Sequence, residues 1–324
     1  MITHLAHFEF SGEPRWGIVN GETIHLLAEK YITTKILLAD KATIFTHVKQ
    51  GLSDLQKIKL ADIELLSPIV GNSRVICQGA NYRQHMIESG MDPDAKSYNM
   101  FFNKSSASIC SSLSDIIKPK HVSLLDYEIE LALVIGQPIT DKIQINKENL
   151  SEYIAGIVIA NDVSARDVQI PETQFFKGKS YRTFCPVGPY LCLLDQDSIH
   201  YLDQLELELK VNGDTRQRDN TENLVFKPAE TLSELSSFSD LDMGDLILTG
   251  TPSGCALRIP SPTIVKLFSL LPETIRWKIF KRIQGKRSQY LQASDKIEAR
   301  IKSQDQAIDL GCQYNTVINA AKQD

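Results

Sequence analysis

Long apolar runs are missing from this 324-residue chain. No stretch of about 18 consecutive apolar residues occurs, which excludes a helix that spans a bilayer. None of the six cysteines (Cys77, Cys110, Cys185, Cys192, Cys255 and Cys312) forms a C-x-x-C pair. Scattered among strand-like apolar stretches, they read as reduced core thiols of a cytoplasmic protein. Charge of one sign is scarce too. Thirty-five Lys and Arg stand against 40 Asp and Glu, a net −5. The chain as a whole carries no electrostatic footprint for nucleic acid or an anionic membrane. The start, MITHLAHFEFSGEPRWG, lacks a basic stretch followed by an apolar one, so no signal peptide is expected. Internal repeats and low-complexity tracts are absent as well.

What is present is ordinary: 42% hydrophobic and 23% charged residues, enough for a sizeable core. Residues 1–70 read as a small unit. HFEFSGEPRWGIVNGETIHLL alternates around two turn sequences, predicting β-hairpins, and ITTKILLADKATIFTHVKQGLSDLQKI then has helical spacing. From 71 to 324, strand-like segments crowd together: RVICQG, YEIELALVIG, EYIAGIVIAND, GPYLCLL, LELELKVNG, DLILTG and KIEARIK. Helical stretches are fewer, chiefly NYRQHMIESG, part of 141–154 and KPAETLSELSSF. The expected fold class is α+β, mainly β: a rolled or sandwiched β domain with a few covering helices.

Residues 258–290 stand apart, with eight Lys or Arg and a single acid, Glu273. Apolar residues from Leu267 to Ile283 give this basic stretch an amphipathic pattern. It fits a helical insertion packed on its own protein or across a dimer, a helix lying on a membrane surface, or a partner-binding helix.

DYEIELALVIG, residues 126–136, places two carboxylates where a strand heads into the core. Side chains two apart share a strand face, so Glu128 and Glu130 project together with Ala132 and Val134. Paired ionised carboxylates repel, and their burial is costly unless compensated. A shared proton, Arg or Lys partners, or a hard divalent cation would each compensate. The next apolar run, GIVIANDVSARD, stops abruptly at Asn161-Asp162, a usual place for a ligand-binding carboxylate or simply a turn.

DYEIELALVIG, ANDVSARD, KGKSYRTFCPVGP, VNGDTRQ…NT and GDLILTGTPSG, in this order and at these spacings, resemble the fumarylacetoacetate hydrolase family. The resemblance is strong over about 72–258 and weaker through 290–318, where ASDKIEARIKSQDQAIDLG blurs the family pattern. It implies a mixed β-sandwich roll with a small N-terminal domain. It also implies Glu128, Glu130 and Asp162 as ligands of Mg²⁺ or Mn²⁺, and a homodimer.

The resemblance implies further roles. His85, oriented by Glu88 three residues on along a helix, is expected to activate water. Lys179 is expected near the metal, bonding a substrate oxygen. Arg166, Gln169 and Thr251 are expected around the substrate, with Tyr82 and Lys104 as weaker candidates that could instead serve packing or the surface. Asn81 and Gln84 read as possible caps of the His85 helix.

The implied substrate is a small 2-oxo acid. The first expectation is hydrolysis of a C–C bond in a 2,4-dioxo acid of the acylpyruvate or fumarylpyruvate type, through a pyruvate enolate. The same machinery serves an oxaloacetate decarboxylase or tautomerase, or an isomerase of unsaturated 2-oxo dicarboxylates in aromatic catabolism. A binding protein that uses 258–290 on a membrane or partner is the non-enzyme alternative.

Overall fold

The computed structural model describes residues 1–96, 98–258 and 270–321. Of the basic stretch, 259–269 lies outside the described residues.

The core is built around strand Ile129–Ile135, IELALVI, every residue of which is buried. It pairs antiparallel with Ile154–Asn161 on one side and Leu246–Leu248 on the other. Its two faces feed two cores, which is why it reads as an unbroken apolar run. Ala132 and Val134 pack with Leu37, Leu38 and Ile44 of the N-terminal unit. Leu131, Leu133 and Ile135 pack with Leu207, Leu209, Ile297 and Ile301 of a second sheet. That five-stranded sheet runs Asp214–Asn220, Leu205–Val211, Lys296–Ser303, Asp309–Asn319, Ile116–Lys118. Its strand LELELKV alternates buried and more exposed residues, as expected of a sheet with one solvated face. The blurred late stretch is the antiparallel pair Lys296–Ser303 and Asp309–Asn319. The fold is thus α+β, with sheets of mixed strand orientation.

The predicted N-terminal hairpins form, Ile2–Phe10 with Glu13–Asn20 and the latter with Thr23–Leu26. Ser11 and Gly12 at the first turn both have positive φ, 56° and 82°, matching the twist of a tight hairpin. Ile2–Phe10 also pairs with Tyr190–Leu194, so the N-terminal strands extend the main sheet.

Helical spacing after residue 32 resolves into two helices, Thr34–Ala39 and Lys41–Gln50. They break at Asp40, whose carboxylate accepts from Lys30, Tyr31 and Thr43. Of 141–154, only Leu150–Tyr153 is helical. Ser233 and Ser236 accept from the backbone N–H of Ile145 and Ile143, giving that segment partners outside a helix. All six cysteines are free thiols. Among the described residues, no helix is long and apolar enough to cross a membrane.

Candidate metal and catalytic site

The site forms where two antiparallel strands run out. Glu130 lies opposite Ala160, and Asp162 follows directly on strand Ile154–Asn161. The backbone N–H of Asp162 donates to Glu128 O at 2.8 Å, which sets the two acids side by side. Oxygens of Glu128, Glu130 and Asp162 lie within 4.8 Å of one another. All three residues are buried, at 5%, 1% and 0% exposure. The two glutamates share a face as the strand period predicts, and Asp162 joins them as the resemblance implied.

Three cations answer these charges. Lys179 Nζ donates to Glu128 Oε2 at 2.6 Å and also to Asp162 Oδ2. Lys104 Nζ, fully buried, donates to Asp162 Oδ1 at 2.6 Å. Arg166 donates through Nη2 to Glu128, through Nε to Asp126 Oδ2 at 2.8 Å, and through Nη1 to Gln169 Oε1 at 2.8 Å. Burial alone would raise the Glu128 pKa, but Arg166 and Lys179 outweigh it and hold the carboxyl well below the usual range. The Lys179 ammonium is likewise held charged: burial opposes it, and Asp162 and Glu128 prevail.

Glu130 differs. Its contact is the backbone N–H of Gly250, donating to Oε2 at 2.7 Å. Burial, then the charges of Asp162 and Glu128, push its pKa well above the ordinary 4.5. Four carboxylates (Asp126, Glu128, Glu130, Asp162) thus meet three cations, with Glu130 the uncompensated one. A compact set of carboxylate oxygens, buried and one positive charge short, has the donor chemistry for a hard divalent cation. The residues present fit such an ion.

The GTPSG turn closes one wall. Gly250 and Gly254 have φ of 90° and 106°. A Cβ on Gly254 would sit 2.0 Å from Arg216 O, so side chains are excluded there. Thr251 Oγ1 donates to Ile129 O at 2.9 Å and accepts from Gln217 Nε2 at 2.8 Å, so its hydroxyl braces the strand carrying Glu130. Gln217 also accepts from Ile129 N at 3.0 Å.

Above the acids lies a cavity of about 680 Å³ whose walls include His85, Glu88, Glu128, Arg166, Gln169, Lys179 and Thr251. Lys179 ends the short helix Phe175–Lys179. His85 and Glu88 sit on helix Arg83–Glu88 as predicted. Glu88 is exposed and accepts from Gln84 Nε2 at 3.2 Å rather than from His85. Burial lowers the His85 pKa below 6.5, with Glu128 opposing, so the ring is neutral at neutral pH. Asn81 does not cap this helix; its amide bridges Phe226 O and Thr249 O at 3.0 and 2.9 Å.

Tyr82 lies away from these walls, fully buried in the main core with an unpartnered hydroxyl. Tyr82→Phe is therefore expected to leave KM unchanged and to stabilise the fold by up to about 1 kcal/mol, read from thermal melts. A several-fold rise in KM would restore Tyr82 to the substrate.

Asp126 had no role assigned from the sequence, although D-x-E-x-E continues the alternation of the two glutamates. Fully buried, it accepts from Arg166, from Ala256 N at 2.7 Å and from Leu257 N at 3.0 Å. It joins the acid cluster to the loop after the GTPSG turn.

Three similarities bear on this arrangement. Oxaloacetate tautomerase YisK of Bacillus subtilis (strain 168) is 39% identical over 210 residues, 64% of this chain and 68% of that protein. Mitochondrial oxaloacetate tautomerase Fahd2a of Rattus norvegicus is 34% identical over 215 residues, 66% of each chain. The solved structure of a probable 2-hydroxyhepta-2,4-diene-1,7-dioate isomerase from Mycobacterium abscessus superposes with a TM-score of 0.72 at 28% identity, covering 99% of this chain and 100% of that one. The model of the fumarylacetoacetate (FAA) hydrolase C-terminal domain matches residues 74–318, the span holding both sheets' shared core and every acid of the cluster. With that match and those relatives, this chain belongs to the fumarylacetoacetate hydrolase family.

Proposed function

We propose that this protein is a metal-dependent enzyme that interconverts the keto and enol forms of a small 2-oxo acid, oxaloacetate first among them. The observation that carries this reading is a buried acid trio, two of whose members, Glu128 and Glu130, share one cavity with a charged lysine and a neutral histidine. The relatives named as oxaloacetate tautomerases support the choice of substrate.

Glu128, Glu130 and Asp162 would hold the cation. A divalent ion there, Mg²⁺ or Mn²⁺, would supply Lewis-acid polarisation of the 2-oxo carbonyl. The chain's own residues do the rest. Neutral His85 takes the proton from C3, and that C–H pair becomes the C2=C3 bond. The carbonyl π pair moves to oxygen, which takes that proton from the His85 imidazolium and leaves the ring neutral again; the enol-to-keto direction runs the same transfers in reverse. Lys179 has three N–H donors, two of them engaged by Glu128 and Asp162, and the third is left for the developing oxyanion. Arg166 bonds the carbonyl oxygen of Gln169, which leaves the amide NH₂ of this cavity-lining side chain as a donor for substrate.

The test follows decay of enol oxaloacetate by its ultraviolet absorbance, with metal-stripped protein before and after Mg²⁺ or Mn²⁺. Metal-dependent decay without release of pyruvate supports tautomerisation. Pyruvate appearing in step with decay replaces it with decarboxylation. No acceleration with either metal sinks both. The pH profile adds a check. His85 works when neutral, and burial lowers its pKa, so activity is lost only as pH falls below that value. The acid limb of kcat/KM is expected below 6.5; a limb above it would remove His85 as the base.

A second reading keeps the hydrolysis of 2,4-dioxo acids. His85 and Glu88 both line a cavity that, at about 680 Å³, has room beyond a four-carbon acid. Metal-dependent cleavage of acetylpyruvate to pyruvate, lost in Glu88→Gln, would favour it over tautomerisation.

A further inference from the structure

The basic stretch begins and ends at the cavity. Arg258 and Arg287 both line it, 29 residues apart in sequence and brought together by the fold. The base between them is bonded. Gln284, buried at 3% exposure, donates through Nε2 to Arg258 O at 2.8 Å and accepts from Tyr290 Oη at 2.9 Å. Arg287 Nε donates to Ala256 O at 2.9 Å. Ala256 N in turn donates to Asp126, the carboxylate that holds Arg166. Arg287 is thus fixed, by its inner nitrogen, to the same support that positions the acid cluster.

The two sets of cations differ in what they already hold. Lys179, Lys104 and Arg166 are engaged with carboxylates of the site. Among the described residues, neither Arg258 nor Arg287 forms an ion pair with a carboxylate. An arginine tethered through Nε keeps both terminal nitrogens as a planar fork, the geometry that binds a carboxylate through two parallel hydrogen bonds. A cavity lined both by carboxylates of the metal-ligand cluster and by a tethered guanidinium suits a ligand with two anionic groups.

We propose that Arg287, together with Arg258, binds a second, distal carboxylate of the substrate, so that the site selects dicarboxylic over monocarboxylic 2-oxo acids. This rests on reading the cavity as a 2-oxo acid site. It gives the return leg of the basic stretch a role in substrate choice.

Binding rather than turnover tests it. The probes are matched pairs differing only at the far end: 2-oxoglutarate against 2-oxopentanoate, and 2-oxoadipate against 2-oxohexanoate. Each is titrated calorimetrically into Mn²⁺-loaded full-length protein. Wild type is expected to bind at least one dicarboxylate roughly 10- to 100-fold more tightly than its partner. Arg287→Gln should erase most of that preference while the monocarboxylate binds as before, which also shows that the variant is folded. Arg287→Lys should restore part of it, and Arg258→Gln should reduce it less. No preference in wild type, a preference that survives in the Arg287→Gln, Arg258→Gln double variant, or equal weakening of both partners would each overturn the proposal. So would failure of all four acids to bind. Oxaloacetate turnover is measured separately. Its absence alongside an intact charge preference would sink the tautomerase reading and leave this one standing.

Discussion

Glu130→Gln abolishes metal-dependent turnover yet leaves the metal-free protein no less stable than wild type. Glu130 is the acid of the trio without a cationic partner, and burial beside Asp162 and Glu128 raises its pKa. A group with a raised folded pKa contributes its full stability below its unfolded pKa and loses it as pH rises through the folded one. Glutamine, of the same shape and neutral at every pH, avoids that loss, so the variant's advantage in the metal-free state should grow with pH. The Gly250 N–H bond survives, because the amide oxygen still accepts. Function goes the other way. Removing one of three charged ligands costs several kcal/mol of Lewis-acid stabilisation, about 10³-fold in kcat/KM. Asp162→Asn is the informative contrast. It loses the metal as well, but removes the carboxylate paired with buried Lys104 and one of the two paired with buried Lys179. Thermal melts of the two metal-free variants should therefore move in opposite directions. A melt of Glu130→Gln well below wild type, or retained Mg²⁺ activation, would refute the account. Because Glu130 must deprotonate to take a metal, ion uptake should also release up to about one proton, seen as a buffer-dependent binding enthalpy.

Asp126→Ala is expected to be the most damaging single change to the fold. It removes the partner of Arg166 Nε inside the core and leaves the Ala256 and Leu257 N–H groups without their acceptor. Breaking one half of a buried ion pair costs about 3–5 kcal/mol, because the other charge stays buried. These orphaned backbone donors, with Tyr127 N as a third, add to that. The denaturation midpoint should fall accordingly, and surviving folded protein should bind dicarboxylates less well, since Ala256 also carries Arg287. Asp126→Asn keeps one acceptor oxygen and should lose less. A variant within about 1 kcal/mol of wild type would show that Glu128 and Gln169 hold Arg166 without Asp126.

The local chemistry was legible because it follows chain periodicity. A two-residue repeat put Glu128 and Glu130 on one strand face, and a three-residue spacing put His85 and Glu88 on one helix face. An apolar run ending in Asn161-Asp162 marked a strand end, and five ordered motifs marked the family. Less legible were partners distant in sequence. Lys104 reaches Asp162 across 58 residues, Gln217 reaches Thr251 across 34, and Gly250 reaches Glu130 across 120. No local pattern encodes such pairs. Tyr82 shows the converse: beside the functional helix in sequence, it turns inward because an aromatic ring gains more from the core than from the cavity wall.

From the sequence alone came the α+β class, the strands, the family and the acids, since each rests on residue type and short-range spacing. The tertiary structure decided which acid goes uncompensated, which lysines hold the others, and where the basic stretch delivers its arginines. Those outcomes depend on which charges share a buried volume, and that is set only when the two sheets close over their common core.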